Sequence, residues 1–429
     1  MAQTLKYGGG IWANQEGSSL AYNDENGNYK PLPFSFERDS IATRVNKEGL
    51  IEVVGRDVPR IDYTDSEDGV FLLEKAATNY VTYSEDFSNA YWTKTRSSAS
   101  SNQSISPEGV LNAYKLTENT DNNSHLLYHT SSVSAQDYVS SVFVKKNGRK
   151  KIRLRFDNAS FLRYAEFDLE NGIVDLQSNS NASIQSYGNG WYRCSIKVTA
   201  TATTFYNVIQ LLSDNNEISY QGDGTSGIYI WGAQLESGNV ASSYIPTQGS
   251  IQTRVAETAN GSGNSEVFND SEGVLFANIA ANANDGTFKI ISIKNSSSNA
   301  YENTLNIQYT ASSNELAAVY RVGASSLVVF TYNINSSITN SKVCFKYKSG
   351  DFAMWIDGFE VGQSANTTMI SNGTLSEILF SRSDNIGDFY GKTKEIGYYD
   401  TALTDEELEY MTSYRSLNEI VTELNLNTL

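Results

Sequence analysis

Apolar and polar residues alternate with a period of two along most of this chain, and residues 227–247 show the pattern best. Ile228, Ile230 and Trp231 form a β-branched and aromatic run. Tyr229, Trp231, Ala233 and Leu235 fall on one side of it at alternate positions, which is the signature of a strand packed on a core. Glu236-Ser-Gly-Asn is turn chemistry, and Pro246 ends the extended piece that follows. This stretch is expected to be the last strand of a β-sandwich.

Strand-like runs precede it at 111–116, 138–145, 151–156, 164–168, 183–187, 190–198 and 206–212, punctuated by Gly, Asn, Ser and Asp. That is the pattern of a sandwich domain. Asn147-Gly148 separates two of these runs and predicts a hairpin, because both residues tolerate positive φ. Asn171-Gly172 and Asn189-Gly190 mark similar turns. After this domain, residues 257–264, Glu-Thr-Ala-Asn-Gly-Ser-Gly-Asn, read as a linker. A second series of runs follows at 274–280, 287–293, 305–309, 315–320, 327–332, 342–347, 352–356, 377–380 and 392–399. Asp357-Gly358 sits at a hairpin tip within it.

The two ends of the chain read differently. Residues 1–75 hold only short strand candidates, at 50–54, 60–63 and 70–73, and too few apolar residues for a large core of their own. They are expected to form an extended segment lying along a neighbour, a symmetry mate or a docking surface. At the other end, Thr404-Asp-Glu-Glu407 is a capping box, whose acids suit the positive helix terminus. Leu408 and Met411 face inward in this reading, and Leu417, Ile420, Val421 and Leu424 follow a helical stripe. The fold class expected is all-β. Two antiparallel β-sandwich (jelly-roll) domains stand in tandem at 76–256 and 265–412, with an extended N-terminal anchoring segment at 1–75 and a short C-terminal helix at 413–429.

Composition narrows the function. Charged residues make up 19% of the 429 residues, and Ser, Asn, Thr, Gly and 27 Tyr replace them. The net charge of −17 disfavours a general nucleic-acid binder, because phosphate backbones repel such a surface. Cys194 and Cys344 fall in different expected domains, so neither an intrachain disulfide nor a structural zinc site is expected. Met-Ala-Gln-Thr-Leu-Lys lacks the apolar core of a secretory signal, and no run of about 18 apolar residues suggests membrane insertion. A surface-like composition without a secretion signal fits a particle component that leaves the cell by lysis.

The run Asn79-Tyr-Val-Thr-Tyr-Ser-Glu-Asp-Phe-Ser-Asn-Ala-Tyr-Trp92-Thr, then Phe143-Val-Lys, Phe167-Asp-Leu and Gly188-Asn-Gly-Trp-Tyr-Arg-Cys-Ser, resembles in order a jelly-roll module of tailed-bacteriophage fibre and spike proteins. Ser40-Ile-Ala-Thr-Arg-Val-Asn-Lys-Glu-Gly-Leu and Val58-Pro-Arg-Ile-Asp-Tyr resemble the leader that precedes this module. The module is similar to carbohydrate-binding jelly rolls, which implies glycan contact, although fold does not fix function. Residues 389–408, ending Tyr-Tyr-Asp-Thr-Ala-Leu-Thr-Asp-Glu-Glu-Leu, resemble the close of a laminin-G or concanavalin-like lectin domain.

Candidate chemistry is sparse. Lys145, Lys146, Arg149, Lys150 and Lys151 form the one basic cluster, suited to an anionic ligand or to a solvated hairpin in which Ile152, Leu154 and Phe156 face in while Arg153 and Arg155 face out. Asp384, Asn385 and Asp388 offer the oxygen ligands that Ca²⁺ takes, in a loop whose composition equally makes a simple turn. Ca²⁺ is the one cofactor these residues suggest. His125 and His129, the only histidines, are expected on one sheet face as structural or surface residues. Trp191, Trp231 and Trp355 offer rings that stack on sugars, but all three sit within strand patterns, so core packing is the expectation. Glycoside hydrolysis needs two carboxylates about 5–10 Å apart, but no Glu-x-Asp-x-x-Glu pattern occurs in 265–400, where Glu395 and Asp357 stand alone. The expectation is a non-enzymatic virion protein of a tailed phage: a head fibre, spike or tail-fibre component. It would join other virion proteins through its N-terminal segment, assemble as a homo-oligomer with a trimer favoured, and meet host-surface glycans. The alternatives are a free or surface-attached bacterial carbohydrate-binding protein and a glycan depolymerase.

Overall fold

The computed structural model describes residues 4–9, 12–20, 22–23, 30–158, 162–201, 203–296, 301–382 and 387–423. Among the described residues the chain is predominantly β-strand, with two short helices. It forms two compact units, and one is inserted into the other along the sequence. One unit takes Met1–Ile41, Val54–Lys75 and Val255–Leu429; the other takes Ala42–Val53 and Ala76–Arg254. The tandem arrangement expected from the sequence is therefore replaced by an interleaved one.

The first unit is a sandwich built on the strand Gly391–Tyr399. One edge of this strand pairs antiparallel with Glu272–Ala281. The other edge is filled end to end by two strands from the start of the chain. Leu5–Gly8 pairs with it from Leu5↔Tyr398 to Gly8↔Glu395, and Val70–Leu73 pairs with it from Phe71↔Thr393 to Leu73↔Gly391. On the Glu272–Ala281 side the sheet continues through Ser341–Lys348, Phe352–Ile356 and Phe359–Ser364. A second sheet, ordered Ser325–Asn333, Glu315–Val322, Leu305–Tyr309, Lys289–Lys294 and Glu377–Leu379, closes the core.

Residues 1–75 do not form a segment set apart. Leu5, Tyr7, Phe34, Phe36, Ile61, Phe71 and Leu73 are buried in the same core as Leu275, Ile291, Ile307, Phe345 and Ile396. The apolar residues of 1–75 are about as frequent as elsewhere in the chain and go into a shared core, where these strands complete a sheet edge that would otherwise expose unpaired backbone groups. The stretch 257–264 is not a free linker either. Glu257 is buried, and Thr258–Asn260 pairs with Phe34–Glu37. Its Gly/Ser/Asn composition is overridden by a buried ionic cluster. Glu257 Oε1 accepts from Arg38 Nη1 at 2.7 Å and Arg60 Nε at 2.8 Å, while Arg60 Nη1 lies 2.9 Å from Glu74 Oε2. These four residues come from all three sequence pieces of the unit.

The helix Asp405–Thr412 has the expected capping box, with Thr404 and Glu407 bonded reciprocally. Leu408 is buried and Met411 half-buried against Val274, Phe276, Cys344, Trp355 and Tyr399. The helix stops at Ser413, whose backbone is extended, and a second helix, Leu417–Glu423, follows. Of the expected terminal stripe, Leu417 is 74% exposed, Ile420 and Val421 are half-buried, and Leu424 lies outside the described residues.

The inserted unit is a sandwich of two six-stranded sheets. One runs Thr93–Thr95, Leu126–Val133, Thr203–Leu211, Lys151–Asp157, Tyr164–Asp168, Ile173–Ser178. The other runs Ser97–Ile105, Leu111–Glu118, Gly227–Ser237, Asp137–Asn147, Tyr192–Thr199, Asn181–Ser186. Leu116, Val142, Ile152, Leu154, Phe156, Ile196, Ile228 and Ile230 fill the space between them. The outer face of the second sheet is covered as well. Phe143, Trp191, Trp231 and Tyr244 pack there with Val45 and Ile51, which belong to the short paired strands Ala42–Val45 and Ile51–Val54.

The strand Gly227–Ser237 departs from simple alternation. Ile228 and Ile230 face the interior, Trp231 joins the outer cluster, and Ala233 and Leu235 face the interior again. The four residues expected on one side are therefore divided. The cause is a bulge: the register with Asp137–Asn147 shifts between Ser141 and Phe143, and Gly232 has φ +59°. One extra residue reverses the facing of everything beyond it.

Candidate functional site

The hairpin expected at Asn147-Gly148 does not form: Asp137–Asn147 and Lys151–Asp157 lie in different sheets, because the chain turns at Gly148, φ +80°, and Arg149 N bonds the Gly227 carbonyl, so the basic cluster sits on a crossover between the sheets. Most of its cations are matched. Arg149 grips Glu118 with Nε–Oε2 2.8 Å and Nη2–Oε1 2.6 Å. The Glu118 side chain is fully buried and also accepts from Tyr220 Oη at 2.7 Å and Asp223 N at 2.9 Å. Burial alone would raise its pKa, but the bonds from Arg149 and Tyr220 outweigh burial and hold it below the usual carboxylate range. Lys146 pairs with Glu170 at 2.7 Å and Lys151 with Asp175 at 2.7 Å. Lys145 and Lys150 have no carboxylate partner among the described residues. This crossover keeps little of the positive charge that an anion would need.

The following strand behaves as its alternation foretold. Ile152, Leu154 and Phe156 are buried in the core, while Lys151, Arg153, Arg155 and Asp157 are half-buried on the outer face. Register then brings distant residues beside them. Tyr128, Val208, Arg155 and Tyr164 form one row across the sheet; Leu126, Gln210, Arg153 and Glu166 form the next; Thr130, Tyr206 and Asp157 form a third. Residues directly opposite in such pairs share a face.

This face combines rings with donors and acceptors. Tyr128 and Tyr206 meet edge to face with centroids 5.6 Å apart, and Tyr206 is 43% exposed. The Arg153 guanidinium bonds Glu166 and lies 4.1 Å from the centre of the Tyr164 ring. Arg155 Nη1 donates to Gln210 Oε1 at 3.3 Å, and Arg155 Nε stands 3.1 Å from Asp157 Oδ2, an ion-pair distance without hydrogen-bond alignment. Partial burial pushes the Asp157 carboxyl upward, against the pull of Arg155. Tyr128, Tyr164, Arg155 and Asp157 are half-buried and Tyr206 is exposed, so the face presents tyrosine rings to solvent beside polar groups held by one another. Aromatic side chains with a few well-placed polar groups are the usual makings of a small-molecule site. Sequence reasoning missed Tyr128, Tyr164, Tyr206, Asp157 and Gln210. Alternation gives the face of each strand, but which strands are neighbours is set by long-range pairing.

The other sequence candidates resolve as follows. His125 and His129 are buried. His129 Nε2 accepts from Asn207 Nδ2 at 3.0 Å, and its Nδ1 lies 2.8 Å from Tyr91 Oη. Burial lowers its pKa to about 3, so it is neutral and structural. Trp191, Trp231 and Trp355 are buried; Trp191 Nε1 donates to the Ile105 carbonyl at 2.9 Å. Asp384 and Asn385 lie outside the described residues. Asp388 accepts from Tyr390 Oη at 2.9 Å, and among the described residues no group of three His, Cys, Asp or Glu converges on a metal position. Glu395 is 3.4 Å from Lys6, and Asp357 accepts from Lys342 N at 2.8 Å.

No family model matches the chain, and no curated protein matches it. Among solved structures it is similar to the CBM40 module of Ruminococcus gnavus IT-sialidase bound to α2,3-sialyllactose, at 13% identity over 36% of this chain and 94% of that one, with a TM-score of 0.30. It is similar to domains LG4–5 of the mouse laminin α1 chain, at 10% identity over 70% and 90%, TM-score 0.24. It is also similar to Trypanosoma rangeli sialidase, at 10% identity over 91% and 80%, TM-score 0.28. No ligand or residue role of this chain is taken from these likenesses.

Proposed function

We propose that this chain is a non-enzymatic adhesion component of a tailed-phage particle, a head fibre, spike or tail fibre, which holds host-surface glycan on the outer face of the inserted sandwich. The carrying observation is the row of Tyr128, Tyr164 and Tyr206 beside Arg155, Asp157 and Gln210, in the stretch of sequence that resembles phage fibre modules. Homotrimer assembly, attachment to other virion proteins through the N-terminal part of the chain and a place on the particle surface belong to the same reading. The carboxylates of this face, Glu166 and Asp157, each stand beside an arginine, Arg153 and Arg155, an arrangement that suits holding a ligand. Single shallow sugar sites bind weakly, and repeated copies raise effective concentration.

The test is a glycan array probed with the whole chain and with Tyr206→Ala. The reading expects a retained set of host-surface glycans that the substitution abolishes. It also expects the chain among the proteins of purified particles by mass spectrometry. A protein absent from particles, or one that releases new reducing ends from host polysaccharide, contradicts it.

A further inference from the structure

We infer that the ligand of the inserted sandwich's outer face is an uncharged chain of several sugars lying across the strands, and that acidic saccharides are turned away. The inference rests on the glycan reading of that face and names the class of glycan it takes. The first observation is charge. Each cation on the strand Lys151–Asp157 already faces a carboxylate. Lys151 Nζ stands 2.7 Å from Asp175 and 3.8 Å from Asp168, Arg153 bonds Glu166, and Arg155 Nε lies 3.1 Å from Asp157. The chain as a whole has a net charge of −17. A ligand carboxylate, sulfate or phosphate would lose water here and find no cation to spare among these residues. Partial burial already pushes the Asp157 carboxyl upward, and a second anion beside it would act in the same direction.

The second observation is the chemistry of the more open ion pair. The Arg153 and Glu166 side chains are 11% and 4% exposed, against 24% and 13% for Arg155 and Asp157. Arg155 offers only donors, and ionised Asp157 only acceptors. A hydroxyl both donates and accepts, so neighbouring hydroxyls of one sugar satisfy the guanidinium and the carboxylate together. A ligand carboxylate only accepts; it would serve Arg155 while opposing Asp157.

The third observation is reach. Tyr128, Val208, Arg155 and Tyr164 stand opposite one another on adjacent strands. Tyr128 and Tyr164 are therefore three strand spacings apart, about 14 Å, which is wider than one sugar ring. Tyr206 meets Tyr128 edge to face at one end of this row, and the Arg155–Asp157 pair lies between the ends. Rings at both ends with a polar pair between them suit a chain that crosses the strands, of which a single sugar covers only a part.

The test is an array of uncharged oligosaccharides, from single sugars to hexamers, printed beside the same backbones bearing uronic acid, sulfate or phosphate groups, and probed with the whole chain, Tyr206→Ala and Asp157→Asn. The wild type is expected to retain uncharged oligomers and none of their acidic counterparts, and to bind the longest at least about tenfold more tightly than the single sugar. The dissociation constant of the best oligomer is expected to stay within about twofold between about 0.01 M and 1 M salt, where the screening length falls from about 30 Å to about 3 Å. Asp157→Asn, with folding verified by its melting temperature, is expected to admit acidic members, because Arg155 then lacks its carboxylate. Retention led by acidic saccharides, an affinity that falls more than about tenfold as salt rises, a single sugar bound as tightly as the chain, or a folded Asp157→Asn protein that still rejects acidic members overturns this inference and leaves the glycan site standing. Retention of no glycan, or retention that Tyr206→Ala leaves intact, removes the glycan reading and this inference with it.

Discussion

Arg60 and Glu257 form an ion pair whose side chains are both completely buried. Arg38 joins them at 2.7 Å, also with no side-chain exposure. Burial alone would lower the Arg60 pKa, but Glu257 and Glu74 outweigh burial and raise it. A buried pair contributes little net stability, yet removing one partner leaves an uncompensated charge and costs about 3–5 kcal/mol. Glu257→Gln is therefore expected to destabilise the first unit by that order, measured by urea denaturation. A loss below about 1 kcal/mol would mean that water reaches the cluster.

The N-terminal strands are integral to that unit. Phe71 is completely buried and pairs into the central strand through Thr393. Phe71→Ala is expected to cost about 3–5 kcal/mol. Hydrogen exchange read by mass spectrometry should show faster exchange across Gly391–Tyr399 and Glu272–Ala281, while the inserted unit's sheets keep their protection. Unchanged protection at Gly391–Tyr399 would contradict the pairing.

Gly232 must remain glycine. Its φ is +59°, and a Cβ there would sit 2.9 Å from Phe143 Cδ2 and 3.2 Å from Tyr244 Cε2. Gly232→Ala combines left-handed strain with a clash, for a loss of about 1–3 kcal/mol. A lowered melting temperature with weakened tryptophan fluorescence changes around Trp231 is the expected signature. A melting temperature equal to that of the wild type would show that the bulge is not required.

How much of this was legible in the sequence follows from the range of each interaction. The capping box at Thr404 and Glu407 and the inward set Ile152, Leu154, Phe156 are local, and each is present as expected; Asn147-Gly148 makes a local turn, but which strand follows into which sheet is set at long range, and there it joins the two sheets instead of closing a hairpin. The pairing of Leu5 with Tyr398 spans nearly the whole chain, and nothing near Leu5 announces it. The apparent linker failed for a related reason: Glu257 looks like a surface acid until Arg38 and Arg60 are placed beside it. The bulge at Gly232 left a local trace, a glycine within an apolar run, which is how bulges announce themselves. The candidate face needed both kinds of information, alternation for Arg155 and topology for Tyr128 and Tyr206.

His129 gives a pH signature. It is neutral in the fold, with its pKa lowered by burial to about 3, whereas in the unfolded chain it titrates near pH 6.5. The unfolded state binds the extra proton between these values. This contribution to stability is therefore fully present above about pH 6.5 and is lost as pH falls toward 3, with a slope of up to about 1.4 kcal/mol per pH unit. With only two histidines in the chain, imidazole NMR resonances can be followed directly. The His129 resonance should not move between pH 8 and about pH 4; a midpoint near 6.5 would show that the ring is solvated.

The most direct measurement is titration calorimetry of the best-retained array glycan against the wild type, Tyr206→Ala and Arg155→Gln. Loss of a stacking ring or of a hydrogen-bonding cation at a sugar site should weaken binding by about tenfold or more, roughly 1.4 kcal/mol, with thermal stability nearly unchanged for the exposed Tyr206. Equal affinities for all three proteins would contradict the assignment of glycan binding to the outer face of the inserted sandwich.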